Sequence, residues 1–221
     1  MSENLYELFK KTTTVPYFTV GTSINYALRR ERGKLYIFFE DSKGKEDWIK
    51  NLDFPVKAYK NSDNKTFYAH RGFLNAWLTL EKVLAPKILD KTIENIIISG
   101  YSHGAALAVL CHEYVWYNRK DLKDKMEGYG FGCPRVVWGV ETKELKERFS
   151  RFTVVKNIDD LVTKLPPAIL GYNHVGKMLL IGKSGKYTSV EAHYKENYLV
   201  ELKAYEKGKL KNGWSRFLNI I

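Results

Sequence analysis

The sequence reads Ile96-Ile97-Ile98-Ser99-Gly100-Tyr101-Ser102-His103-Gly104-Ala105-Ala106-Leu107-Ala108 at the point where an apolar, β-branched run gives way to small helix-forming residues. This pattern predicts a strand, a sharp turn and a helix, because Gly100 and Gly104 let the two elements approach closely. Ser102 stands at the apex of the turn, as in a nucleophile elbow. The backbone N–H of His103 then lies at the start of the helix, where a developing oxyanion is favoured. A plain glycine-rich turn would explain the glycines but not the serine.

Predicted strands alternate with predicted helices along the rest of the chain. The apolar run Leu35–Phe39 is continuous, which is typical of a central strand buried on both faces. The segment from Asp53 to Lys65 is rich in turn residues. Further strands are expected at Phe67–Ala69, Ile93–Ser99, Gly128–Gly132 and Arg151–Lys156, with a hairpin formed by Met178–Ile181 and Tyr187–Val190. Helices are expected at Leu5–Lys11, at Thr22–Arg30, from His70 onward, from the elbow to about Asn118, at Val140–Phe149 and at Glu191–Tyr205. We therefore expect a single α/β domain over residues 1–221, with a mainly parallel sheet covered by helices on both faces.

Composition places the chain among globular proteins. It has 221 residues, of which 44% are hydrophobic and 28% are charged. No apolar run reaches the length of a membrane span, and the segment Met1–Leu8 lacks the basic and apolar regions of a secretory signal. The spacing of Cys111 and Cys133 suggests no metal site, and two cysteines are too few for a disulfide framework. We therefore expect a cytoplasmic protein with both cysteines reduced and buried.

The net charge is strongly positive, with 36 lysines and arginines against 25 acidic residues, or +11. A basic surface can attract nucleic acid, anionic membranes or acidic substrates. The lysines are scattered, however, and no basic helix or known nucleic-acid module stands out. We interpret the charge as a solvated surface that binds no nucleic acid and makes at most a weak peripheral contact with an anionic membrane. No obligate protein partner is predicted.

A serine nucleophile needs a base, and the base needs a carboxylate that orients it. In α/β-hydrolases these residues follow in the order serine, acid, histidine. Asp159 and Asp160 both come directly after a strand that follows the serine, and either could simply end that strand in a turn. Of the five histidines, His174 and His193 lie beyond these acids. The position of His193 at the start of the final helix favours it as the base, although both histidines are expected near the same rim.

Several short motifs, spread over roughly Leu35 to Leu202, resemble those of the class 3, or fungal-type, lipases of the α/β-hydrolase superfamily. In the elbow, Tyr101 replaces the histidine that this family usually has before its serine. The other matching stretches are His70-Arg71-Gly72-Phe73, Tyr129-Gly130-Phe131-Gly132-Cys133-Pro134-Arg135-Val136, Asp160-Leu161-Val162-Thr163-Lys164-Leu165-Pro166-Pro167, and Ala192-His193-Tyr194 followed by Tyr198.

The resemblance implies an α/β-hydrolase fold and assigns the catalytic roles. Ser102 corresponds to the nucleophile, Asp160 rather than Asp159 to the orienting acid, and His193 to the base. The stretch His174-Val175-Gly176 resembles a His-x-Gly that is not catalytic in this family.

One stretch departs from the family pattern. The family reads Phe-Arg-Gly-Thr or Phe-Arg-Gly-Ser after its central strand, whereas this chain reads Phe39-Glu40-Asp41-Ser42. The hydroxyl residue is retained, so the resemblance places Ser42 in the oxyanion hole together with the N–H of His103. Both the arginine and the glycine are replaced by acids. We expect Glu40 to pair with a basic group in place of the missing arginine, with Arg71 and Arg135 as candidates.

The activity implied by the resemblance is hydrolysis of small-molecule or lipid acyl esters through an acyl-enzyme, with no cofactor and no metal. The interval Ile49 to Ala69, where lipases of this family often carry a helical lid, offers no long amphipathic helix. We therefore expect an unlidded site, short or medium acyl chains and little activation at a lipid surface. Two alternatives stay open. The altered oxyanion stretch favours a non-catalytic protein that binds lipid or a partner protein. A thioesterase or amidase would use the same triad.

Overall fold

The core of the molecule is a mixed sheet whose central strands are parallel. The computed structural model describes residues 3–21, 24–40, 54–185, 187–212 and 217–218. Within these residues one sheet has eight strands in the order β1-β2-β3-β6-β7-β9-β11-β12, and a second sheet has four in the order β10-β8-β5-β4. The strands are β1 Phe18–Val20, β2 Ile24–Glu31, β3 Lys34–Phe39, β4 Val56–Lys60, β5 Thr66–His70, β6 Asn95–Tyr101, β7 Met126–Phe131, β8 Val137–Trp138, β9 Phe152–Asn157, β10 Tyr172–Asn173, β11 Lys177–Ile181 and β12 Phe217–Leu218.

Strands β3, β6, β7, β9 and β11 run parallel to one another, and the strands at both edges of the large sheet are antiparallel to their neighbours. The predicted mainly parallel sheet is therefore confirmed. From Leu35 onward, every residue of β3 is buried. Such continuous apolar strands form because helices cover both faces of a parallel sheet.

Helices pack on both faces of the large sheet, as predicted. The helices at Arg71–Ile88 (α2) and His103–Asn118 (α3) share one apolar core with the sheet, and those at Leu5–Thr14 (α1) and Lys195–Asn212 (α5) share the other. Helix α3 is buried on nearly all sides, because it lies between the sheet and α2. The helices are α1 Leu5–Thr14, α2 Arg71–Ile88, α3 His103–Asn118, α4 Lys143–Arg148 and α5 Lys195–Asn212, with 3₁₀ turns at Lys120–Leu122, Val162–Lys164, Ala168–Leu170 and Glu191–His193.

Two predicted elements are wrong. Thr22–Arg30 is predicted to be a helix, but Ile24–Glu31 forms strand β2, which pairs along its length with β3. This pairing between strands overrides the local helix propensity of the segment. The predicted hairpin does not form either, because β11 lies between β9 and the short strand β12. In the segment after β11, Ser189 makes an isolated bridge to Asp160.

Smaller differences concern element boundaries. Within the described residues 54–65 of the turn-rich segment, Val56–Lys60 forms strand β4, and a turn follows in the connection between β4 and β5. Helix α4 is shorter than predicted and begins at Lys143, where Thr142 accepts a hydrogen bond from the backbone of Leu145. His193 lies in a 3₁₀ turn just before α5, rather than in the helix itself.

Helices long and apolar enough to span a bilayer are absent from the described parts of the chain. Cys111 and Cys133 are both free and buried, as predicted. Burial raises the pKa of both thiols, so they stay protonated.

Candidate active site

The predicted elbow forms between β6 and α3. Ser102 has φ 58° and ψ −123°, a conformation that a non-glycine residue adopts only where the surrounding structure enforces it. The flanking glycines make this possible. A Cβ on Gly100 would come within 2.1 Å of the carbonyl oxygen of Gly104, and a Cβ on Gly104 within 2.3 Å of that of Phe39. At these two positions a residue larger than glycine is therefore excluded, because β6, the end of β3 and α3 lie too close together.

The side chains of Ser102, His193 and Asp160 form one continuous chain of hydrogen bonds. The Oγ of Ser102 lies 2.7 Å from Nε2 of His193, and Nδ1 of the same imidazole lies 2.7 Å from Oδ2 of Asp160. All three residues are buried, with 1%, 4% and 0% of their surface exposed, respectively. In this order, a hydroxyl, an imidazole and a carboxylate can move a proton off the hydroxyl and stabilise the imidazolium that results.

Asp160 is held by two further donors. Its Oδ1 accepts a hydrogen bond from the backbone N–H of Val162 at 2.8 Å, and its Oδ2 accepts one from the hydroxyl of Tyr198 at 2.7 Å. The Tyr198 oxygen in turn accepts from the N–H of Asn157 at 3.1 Å. Burial, together with the charge of Asp160, raises the pKa of Tyr198, so its hydroxyl remains a donor. The carboxylate is therefore oriented from two sides.

The alternatives that the sequence left open lie elsewhere. A carboxylate oxygen of Asp159 accepts a hydrogen bond from the backbone of Gly185, as expected for an aspartate that ends a strand in a turn. Nε2 of His174 lies 2.8 Å from the carbonyl oxygen of Thr163. Burial lowers the pKa of His174 to about 3, so its ring is neutral near pH 7.

The predicted oxyanion residues are described only in part. His103 is the first residue of α3, where backbone N–H groups have no carbonyl partner within the helix. Its imidazole packs edge-on against Phe73 with ring centroids 5.5 Å apart. Burial, and then the nearby His70, lower its pKa to about 4. Ser42 and Asp41 lie outside the described residues.

Glu40 pairs with a basic group, as predicted, but that group is Lys195 and neither of the two predicted arginines. Oε1 of Glu40 lies 3.1 Å from Nζ of Lys195, a residue that no sequence motif singles out. Arg135 instead donates to the backbone carbonyl groups of Lys164 and Pro166. The cation that faces Glu40 is therefore at the start of α5, because the turn carrying His193 brings that helix to the end of β3.

Other contacts around His193 are not apparent from the sequence. The ring of Tyr101 stacks on the imidazole, with centroids 5.1 Å apart and planes at 19°, and its hydroxyl donates to the His193 carbonyl. Gly132 has φ +57°, and a Cβ there would come within 2.7 Å of the imidazole. Two features of the sequence could have indicated these contacts. They are Tyr101 in place of the usual histidine, and Gly132 in the motif that includes β7.

Metal-binding geometry is not found in the described part of the chain, where no group of three or more histidine, cysteine, aspartate or glutamate side chains could hold an ion.

Known proteins resemble the chain in sequence and in fold. The family model described as "Lipase (class 3)" matches residues 36–170. A lipase of Rhizomucor miehei is 28% identical over 149 residues, which are 65% of this chain and 40% of the relative. The "Secreted mono- and diacylglycerol lipase 1" of Fusarium solani is 27% identical over 180 residues, which are 77% of this chain and 52% of the relative. The chain thus spans about half the length of these curated relatives.

Solved structures give the same picture of the fold. The structure titled "A serine protease triad forms the catalytic centre of a triacylglycerol lipase" matches with a TM-score of 0.66 and 24% identity, covering 77% of this chain and 74% of its own. A lipase of Rhizopus microsporus var. chinensis matches with a TM-score of 0.63 and 24% identity, covering 84% of this chain and 69% of its own. At this identity the likeness shows the fold alone, which is the predicted α/β-hydrolase fold.

Proposed function

Because the chain belongs to the class 3 lipase family, whose model matches residues 36–170, we propose that it is a serine hydrolase that cleaves carboxylic esters. The observation that carries the proposal is the continuous set of hydrogen bonds from Ser102 through His193 to Asp160. In this proposal Ser102 is the nucleophile, His193 the general base and Asp160 the residue that orients the base.

The reaction proceeds in two halves. In the first, Oγ of Ser102 forms a bond to the ester carbonyl carbon while Nε2 of His193 takes its proton. The bond from that carbon to the alcohol oxygen then breaks, and the alcohol leaves with the proton from His193. In the second half, water attacks the acyl-enzyme, His193 again takes a proton, and the acid is released as Ser102 recovers its own.

Charge is stabilised at two places during these steps. The buried carboxylate of Asp160 faces the imidazolium of His193, and the low dielectric of the site strengthens that attraction. The oxyanion is assigned to the backbone N–H of His103 at the start of α3, where the helix dipole favours negative charge. The N–H and the hydroxyl of Ser42, which lies outside the described residues, are assigned to the same hole because of the resemblance to the family pattern.

Acyl esters of glycerol are the substrate class that the relatives suggest, since their names describe a lipase, a mono- and diacylglycerol lipase and a phospholipase A1. We propose that this chain prefers short or medium acyl chains and is little activated at a lipid surface. This proposal is supported by residues 54–69, where β4 and β5 form a hairpin. The first part of the interval, residues 49–53, lies outside the described residues.

The decisive experiment measures hydrolysis of chromogenic acyl esters of increasing chain length, alongside matched thioesters and anilides. We expect ester hydrolysis that is strongest for short or medium chains and shows no sharp rise in rate above the solubility limit of the substrate. The Ser102→Ala variant should lose activity by a factor on the order of 10⁴ or more, whereas the exposed Ser184→Ala control should match the wild type.

A serine-directed phosphonate identifies the nucleophile independently of turnover. Mass spectrometry should find the adduct on Ser102 and not on Ser184. If the wild type is neither labelled nor active on any ester, thioester or anilide, the chain is a non-catalytic binding protein. Preferential hydrolysis of thioesters or anilides would instead move the activity to those classes.

A further inference from the structure

An ion pair connects the end of β3 to the start of α5 across 155 residues of sequence. Nζ of Lys195 lies 3.1 Å from Oε1 of Glu40, and each side chain keeps only about a quarter of its surface exposed. An ion pair that is mostly removed from water interacts more strongly than one on the open surface, because the solvent screens it less. The pair therefore resists separation of the two segments that carry it.

Each residue of the ion pair lies next to a part of the hydrogen-bonded set formed by Ser102, His193 and Asp160. Glu40 directly follows β3, and its backbone packs against the elbow, since a Cβ on Gly104 would come within 2.9 Å of the Glu40 carbonyl carbon. Lys195 is the first residue of α5 and lies two positions after His193. The pair consequently ties the turn that carries His193 to the strand end beside Ser102.

Tyr101, at the end of β6, links the elbow to the same turn. It immediately precedes Ser102, its hydroxyl donates to the carbonyl of His193, and its ring stacks on the imidazole. The ammonium of Lys195 lies 5.9 Å from the centroid of this ring. Glu40 and Tyr101 both depart from the usual family residues, and both act on the segment from His193 to Lys195.

We propose that the Glu40–Lys195 ion pair, with Tyr101 beneath it, is a positioning device that holds the imidazole of His193 within hydrogen-bonding distance of Ser102. We call this pair the Glu40–Lys195 clasp. Its residues do not touch the reacting atoms; they act through the backbone and ring of His193. The clasp deepens the proposed function, because it assigns to this chain its own way of aligning the base.

Variants that remove or exchange the two charges test the clasp. Glu40→Gln and Lys195→Met should each lower kcat about tenfold on a short-chain ester with less than a twofold change in KM, because alignment of the base affects the chemical step and not substrate binding. The double variant should be no slower than the slower single one. Exchange of the charges, by Glu40→Lys together with Lys195→Glu, should restore kcat to within about threefold of the wild type.

The matched control is Arg30→Met, which breaks the exposed pair with Asp90 at the opposite end of β2 and β3. This variant should keep wild-type kcat and KM. The rate at which a phosphonate labels Ser102 provides a second readout, which needs no turnover and should fall and recover in parallel with kcat. Thermal melting of each variant reports any loss of folding, and the exchanged pair distinguishes a lost clasp from a damaged fold.

Two results would overturn the clasp: unchanged kcat and labelling rate in both single variants, or failure of the charge exchange to restore either in a protein that melts like the wild type. Failure of the proposed function looks different, because the wild type itself would then hydrolyse no ester. If the inactive wild type is still labelled at Ser102, the labelling rates of the same variants decide whether the clasp aligns His193. If it is not labelled either, the clasp is overturned together with the proposed function.

Discussion

His193 and His174 both follow Asp159 and Asp160 in the chain, but their imidazoles have different neighbours. His193 lies between Ser102 and Asp160, with 2.7 Å to each. His174 instead bonds to the backbone of Thr163, and its depressed pKa keeps it neutral. Chain position alone does not distinguish the two histidines. The structure does, because the turn that carries His193 faces the elbow.

Replacement of each histidine by alanine separates the two roles. His193→Ala should lower kcat by a factor on the order of 10⁴ or more, because members of a triad act as a unit. His174→Ala should keep activity within a fewfold of the wild type while lowering the free energy of unfolding by about 1–3 kcal/mol, since it removes packed atoms and a hydrogen bond. Steady-state kinetics and urea unfolding of both variants provide the comparison. The opposite pattern would make His174 the base.

Buried His112 should make the stability of the protein depend on pH. Its Nε2 lies 3.0 Å from the Arg148 carbonyl oxygen, and burial lowers its pKa to about 4. The unfolded chain takes up a proton near pH 6.5 while the folded one resists until about pH 4. The free energy of unfolding therefore falls as the pH drops through this window, by as much as about 3 kcal/mol from this residue.

Urea unfolding of the wild type and His112→Gln between pH 7 and pH 4.5 measures this contribution. Glutamine can still donate to the Arg148 carbonyl but does not titrate. The difference between the two curves isolates His112 from neighbouring Glu113, whose pKa burial raises to about 7 and whose effect on stability has the opposite sign. The wild-type curve should fall more steeply on acidification. Parallel curves would show that His112 does not resist protonation in the fold.

At the scale of elements, the site depends on how closely β3, β6 and α3 meet. Gly104→Ala places a methyl group 2.3 Å from the carbonyl oxygen of Phe39, and neither backbone can yield without moving the elbow. We expect this variant to lose about 1–3 kcal/mol of stability and most of its activity. Gly208→Ala in α5 is the control, because a Cβ there meets nothing within 4 Å. It should gain up to about 1 kcal/mol, since alanine favours helices.

Thermal or urea unfolding and ester hydrolysis of the two glycine variants test this requirement. A Gly104→Ala variant as stable and as active as the wild type would mean that the elbow tolerates a wider separation of strand and helix. The proposed oxyanion hole depends on the same contact between β3 and α3, so it would then need to be assigned to other residues.

Elements whose own residues determine them could be predicted from the sequence. Continuous apolar runs identified β3 and β6, and α3 ends at Asn118 as expected. Strand β2 could not be identified, because it depends on pairing with β3 rather than on local propensity. The three residues of the proposed triad could be selected from chain order and motifs. The Glu40–Lys195 pair could not, because it joins positions whose proximity no local pattern indicates.

At the scale of the whole molecule, the chain combines a net charge of +11 with apolar side chains exposed in one region. Ile169 and Val140 expose 94% and 88% of their surface, and Trp138 donates a hydrogen bond to the carbonyl of Leu170 near them. Charge and apolar surface would bind membranes in different ways. Attraction between charges is screened by salt, whereas burial of apolar surface is not weakened by it.

We predict that any contact with membranes is electrostatic and weak. The protein should sediment with vesicles that contain anionic lipid at low ionic strength, stay in solution with purely zwitterionic vesicles, and be released from the anionic ones by about 0.5 M salt, where the screening length is only a few ångströms. The reason is that the lysines are scattered along the sequence and supply long-range attraction without a deep apolar contact. The Ile169→Ser and Val140→Ser variants serve as the control and should bind like the wild type. Binding to zwitterionic vesicles that persists in salt and is lost in these two variants would show instead that the apolar region beside Trp138 inserts into the lipid.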